Sequence, residues 1–263
     1  MSQPSNQYFS FSRFSRLFRR HTAEHWSAYA MAAAVSTGLL LLVMGFATYL
    51  QNSALNSMGQ SVFFTLFLLA GTSIFASSVF AQFGEGRRAT VALLLPASHL
   101  EKYLVAWIYS LPIFLLAFIP LFYLADAVVV YSGAAPWQTP ELFNLFTDWR
   151  DKVGVFWVLA VLHGVGLFGA IYFEKIQFIK TSFAMFILLG VVWVLNFQFL
   201  KLLIGARLGL VPPFTSLVLM EEGNTVYTLS IPESQHNWLI WLPVGLAVLL
   251  WLASYFRLTE KQI

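Results

Sequence analysis

The chain has 263 residues, no cysteine, 59% hydrophobic residues, only 10% charged ones, and a mean hydropathy of +0.72. That composition excludes an ordinary soluble domain and marks an integral membrane protein. A formal charge of +3 spread through so much apolar sequence points to membrane orientation rather than nucleic acid, and the lack of cysteine removes disulfides, thiolate metal sites and a thiol nucleophile.

Residues 1–27 form the first predicted element. At 100° per residue, Phe11, Phe14, Leu17, Phe18 and His21 share one side of a helix, and Arg13, Arg16, Arg19 and Arg20 take the other. Such a helix would lie flat on the membrane, its phenylalanines in the acyl boundary and its arginines among anionic headgroups. A disordered basic extension that only sets topology is the alternative. Within this segment His21-Thr22-Ala23-Glu24-His25 spells H-x-x-E-H, a zinc-peptidase pattern. It lies directly before a membrane span, with no soluble domain to complete a site, and reads instead as polar residues at a helix junction.

Six apolar stretches are long enough to span a bilayer: residues 28–50, 61–83, 103–131, 153–173, 181–204 and 237–256. Their continuous apolar character, without two-residue alternation, predicts an all-α integral membrane protein rather than a barrel. With the N-terminus cytoplasmic, 11 of the 15 basic residues fall on the cytoplasmic side, so the positive-inside rule puts both termini there. The six spans occupy residues 28–256, followed by a cytoplasmic tail, 257–263.

Between the second and third spans the connector 84–102 contains RRATVALLLPASHLEK. Arg87 and Arg88 form a charged approach, and Leu93, Leu94 and Leu95 an apolar run too short to cross a membrane. Pro96 breaks the chain, and Ser98 and Glu101 make an S-x-x-E capping box at the start of the third span. An apolar element on a polar face usually meets headgroups or a protein.

The fourth span holds Gly164-Val165-Gly166-Leu167-Phe168-Gly169, formally a dinucleotide-binding pattern. Inside a span, its small residues read as contacts for close helix packing. His163 in the fourth span and Asn196 and Gln198 in the fifth are candidate polar residues of a transport path. Pairing with a neighbouring helix is the alternative. The loop 205–236 would be an ordinary outer loop or carry short surface or re-entrant helices.

Six spans, an amphipathic helix before the first, and a connector reading Leu94-Leu95-Pro96-Ala97-Ser98-x-x-Glu101-Lys102 resemble the membrane subunits of ABC-2 type ABC transporters. The resemblance implies a permease subunit, more often an exporter, whose connector carries a coupling helix that docks on an ATPase. It also implies re-entrant helices in the loop before the sixth span. On that reading Arg87, Arg88, Leu93, Leu94, Leu95, Ser98 and Glu101 are the coupling residues. Because no G-x-x-x-x-G-K-[ST] occurs here, ATP and magnesium would be bound by a separate ATPase subunit, and this chain would not itself be an enzyme. A second permease copy or a homologous permease would complete the unit in a cell membrane, the inner one in a Gram-negative bacterium. Two other classes stay open: a non-transporting scaffold or assembly factor that binds a cytoplasmic protein, and an intramembrane enzyme using His163 or the His21/His25 pair.

Overall fold

The structure, a computed structural model, describes residues 9–84, 97–146, 149–204, 207–208, 217–220, 226–229 and 241–260. Arg87, Arg88 and Leu93 to Leu95 lie outside these residues.

Helix α1 runs from Phe11 to Gln51 without interruption. No proline occurs in it and its first glycine is Gly38, so nothing in residues 11–37 breaks the hydrogen-bond ladder. At 1.5 Å per residue it is about 60 Å long, roughly twice the hydrocarbon thickness. The amphipathic helix expected over residues 1–27 is, in its described part, continuous with the first spanning helix. The chain leaves α1 through Asn52 in the left-handed conformation (φ 52°) and enters α2, Ser57–Gly84, where the Asn56 carboxamide oxygen accepts from Gly59 N at 2.8 Å.

The third span is built in pieces. Helix α3, His99–Ile108, passes into a π-helical turn, Tyr109–Ile113, and continues as α4, Phe114–Ser132. Pro112 lies in that turn and supplies no amide hydrogen; a widened turn lets its ring clear the preceding carbonyl. Helices α5, Trp149–Tyr172, α6, Gln177–Ile204, and α7, Trp241–Glu260, complete the bundle. Among the described residues six helices are long and apolar enough to cross a membrane, α3 and α4 counting as one, and each overlaps one of the six predicted spans. Because they alternate in direction, residues 10, 98, 173 and 260 fall at one end of the bundle, here the terminal end, and residues 52, 133 and 204 at the opposite, loop end.

In the loop 205–236 the described residues form no helix. Arg207–Leu208 (β1), Leu217–Met220 (β2) and Val226–Leu229 (β3) make an antiparallel sheet of order β1-β2-β3, with Leu217 opposite Leu229 and Met220 opposite Val226. The rest of the loop, where surface or re-entrant helices were expected, lies outside the described residues. Runs of four apolar and β-branched residues are too short for a stable helical turn sequence but long enough to pair as strands.

Two buried clusters stack along the bundle. Towards the loop end, Leu40, Met44, Phe64, Leu68, Phe118, Phe122, Phe143 and Leu159 pack together. Towards the terminal end, Phe80, Phe83, Tyr103, Tyr109, Leu167, Ile171 and Leu258 do so, with Phe14, Leu17, Phe18 and Tyr29 of α1 against them. Helix α5 is the hub, packing along α2 and α7 and crossing the start of α6. Each glycine of its G-x-G-x-x-G run faces a different neighbour. A Cβ on Gly164 would lie 2.9 Å from Leu250 Cβ of α7, one on Gly166 3.3 Å from Ala76 Cβ of α2, and one on Gly169 would overlap the Thr181 side chain of α6. Lipid is as apolar as a helix surface, so such close approach, with polar contacts, is what holds spans together. Beyond its first turns α6 leaves the bundle: Gln177 and Thr181 are buried, but no residue of its most apolar window is.

Candidate functional site

The start of α3 is held by the capping box the sequence predicts. Ser98 is extended, its hydroxyl accepts from Glu101 N at 3.2 Å, and the Glu101 carboxylate accepts from Ser98 N at 3.0 Å. The same carboxylate also reaches the start of α1. It accepts from Ser10 N, the N-cap residue, at 2.7 Å, and from Arg13 Nη2 at 3.0 Å. Glu101 thus satisfies backbone amides at two helix starts and pairs with a guanidinium, while itself fully buried. Of the expected coupling residues, Ser98 and Glu101 are the two described, and both are engaged in this cap, Glu101 fully buried and Ser98 half-buried.

The amphipathic face of α1 lies over this point. Phe14 and Phe18 pack into the terminal-end cluster, and Phe18 and His21 stand 4.9 and 4.5 Å from the Tyr109 ring, centroid to centroid. Thr22 Oγ1 bonds the Tyr109 hydroxyl. Phe14 and Phe18, expected at the membrane interface, are thus half-buried against α3 and the π-turn. Arg13 is engaged by Glu101. Phe11, Arg16, Arg19 and Arg20 remain on the exposed side.

The H-x-x-E-H residues are occupied within the protein. His21 Nε2 is 2.7 Å from the Tyr29 hydroxyl, His25 Nδ1 donates to the His21 carbonyl at 3.1 Å, and Glu24 pairs with Arg20 at 2.6 Å on the surface. The two imidazoles stack on each other, 4.4 Å between centroids, while Glu24 turns to Arg20.

In mid-bundle His163 is fully buried and both its nitrogens are used. Trp251 Nε1 donates to Nδ1 at 3.0 Å, and Nε2 lies 2.8 Å from Ser110 Oγ. An indole nitrogen only donates, so Nδ1 accepts and the ring proton sits on Nε2, which donates to Ser110. Ser110 in turn donates to the Trp107 carbonyl at 3.2 Å. The relay runs one way, from Trp251 through His163 and Ser110 to Trp107, and joins three spans. In this tautomer His163 presents a proton to Ser110 instead of a lone pair, so the pair is not arranged as a nucleophile and its base. The structure does not bring the three candidate path residues together around His163: Asn196 and Gln198 lie on α6, with Gln198 exposed.

At the loop end a second set of polar residues was not singled out from the sequence. Gln138 brackets Ala54, accepting from its N at 2.8 Å and donating to its O at 2.9 Å. Buried Gln60 donates to the carbonyls of Leu55 and Glu141, and the Tyr123 hydroxyl accepts from Leu145 N at 3.1 Å. Buried Asp126 takes a longer bond, 3.4 Å, from Phe143 N. Residues 133–146 are thereby tied down as a cap over the loop-end cluster.

Fold and site together define a multi-pass membrane protein built around one braced connector exit and one buried polar relay. No protein-family model, curated protein or solved structure matches the chain.

Proposed function

We propose that this chain is the membrane-spanning permease subunit of an ATP-driven transporter of the ABC-2 type, working as an exporter with a separate ATPase subunit. The observation that carries the reading is the bracing of the connector exit. Glu101 caps the helix that follows the connector and, through Ser10 and Arg13, binds the start of a helix about 60 Å long. A push on the connector would therefore be delivered to the first and third spans together. Arg87, Arg88, Leu93, Leu94 and Leu95, outside the described residues, are the partner contacts in this reading. ATP and magnesium belong to the ATPase, both termini to the cytoplasm, and the assembly to the cell membrane, the inner one in a Gram-negative source. The apolar window of α6, unburied within the chain, leaves a surface for lipid or a second permease copy to cover.

Reversal of charge at the connector tests the reading. Arg87→Glu with Arg88→Glu abolishes co-purification with the ATPase and its stimulation by the permease. Unchanged co-purification and stimulation would remove the assignment.

A further inference from the structure

The geometry points to the π-helical turn Tyr109–Ile113 as a hinge in the third span, latched by the Trp251–His163–Ser110 relay. Two bodies meet at that turn. On its terminal side, residues 98–109 are fastened to the first half of α1 by Glu101 with Ser10 and Arg13, by Thr22 with Tyr109, and by the rings of Phe18 and His21 on Tyr109. Tyr109 is both the last ring of this body and the first residue of the turn.

On its loop side the next body begins at Phe114, the residue after the turn. Its ring stacks on Phe118 at 5.6 Å and on Phe75 of α2 at 5.6 Å, and Gly71 of α2 lies so close that a Cβ there would stand 2.9 Å from it. Within the third span the two bodies are joined by the π-turn alone, where Pro112 removes an amide from the ladder, while α1 and α2 run past it. Sharp helix bends concentrate at prolines and π-turns.

What holds the terminal body against α5 and α7 is the relay, with the Tyr103 hydroxyl donating to the Trp251 carbonyl at 2.9 Å and the Trp107 ring edge-on to Trp251 at 5.4 Å. Because the relay pairs the Trp251 indole N–H, both His163 nitrogens and the Ser110 hydroxyl inside the bundle, the closed arrangement is strongly specified and the loss of one member releases it. Movement about the turn would carry the connector exit together with the start of α1, the uninterrupted α1 curving along its length to follow. The measurement needs no ATPase, so it stands or falls separately from the functional reading above.

The chain has no cysteine, so paired cysteines can be introduced without a background. The full chain in lipid nanodiscs is labelled at Leu100→Cys with Ile179→Cys, both exposed near the terminal end, and at Leu66→Cys with Leu124→Cys, exposed towards the loop end. Distances are read by pulsed electron paramagnetic resonance. Ten residues from Ser110 to Leu100 make an arm of about 15 Å, so a swing of about 20° moves the label by about 5 Å. Ser110→Ala and His163→Phe are each expected to broaden or shift the terminal-end distance by about that much and to leave the loop-end distance unchanged. Adding Pro112→Ala, which restores an amide to the turn, narrows the terminal-end distribution again. Ser110→Ala adds no volume, so the test does not depend on His163→Phe folding. An unchanged terminal-end distance in Ser110→Ala, equal broadening of both pairs, or no narrowing by Pro112→Ala each overturns the hinge.

Discussion

Glu101 concentrates more structure than any other charged residue described. A carboxylate that accepts from two backbone amides and a guanidinium is held by charge-assisted bonds, each worth about 1.5–3 kcal/mol. Glutamine in its place keeps the shape but turns an NH2 group towards one of those donors. Glu101→Gln is expected to cost about 2 kcal/mol or more, and Arg13→Gln somewhat less because the two amides remain. Combined, the two changes cost less than their sum, with a coupling above about 1 kcal/mol, as contacting charges show. Unfolding in detergent monitored by circular dichroism checks this, and strict additivity would mean that the pair is not formed. The capping half of this arrangement was legible in S-x-x-E, because its partners are three residues apart. The other half was not, because Arg13 lies 88 residues away and no local pattern encodes that approach.

At the scale of the helix, the G-x-G-x-x-G run of α5 shows how a motif changes meaning with its surroundings. Its spacing was legible as packing, and the structure adds that three glycines serve three neighbours. Gly169 is the least replaceable, since a side chain there overlaps Thr181; Gly164 follows, and Gly166, facing Ala76 at 3.3 Å, tolerates most. Gly169→Val is expected to destabilise by about 1–3 kcal/mol through overpacking, and Thr181→Ala to restore part of it by emptying the contact. Thermal unfolding of the single and double variants reads this directly; a double variant no better than Gly169→Val would show that the crossing is not the cause. The first helix teaches a different lesson. Its periodicity disclosed an apolar face, but amphipathicity does not say what covers that face, and here Tyr109 and the terminal-end cluster cover part of it. The same limit applied to His163: its burial in a span was visible, whereas Ser110 and Trp251 came from other spans.

For the whole molecule, the six spans were readable because a bilayer imposes length and apolarity on each of them, whatever their packing. The division into two stacked clusters, with the polar relay and π-turn between, was not readable, since it depends on which helices cross and where. It gives the account its mechanical form: a connector exit braced to α1, a terminal-end body, and a loop-end body under a cap of residues 133–146. The proposed function rests on the connector meeting an ATPase. The most direct test places one cysteine in the otherwise cysteine-free chain, Leu94→Cys, attaches a photoactivatable cross-linker in native membranes, and identifies the product by mass spectrometry. The account predicts a cross-link to a protein carrying a G-x-x-x-x-G-K-[ST] nucleotide-binding loop, weakened by Arg87→Glu with Arg88→Glu. Cross-links to lipid alone, or to a protein without that loop, would contradict it.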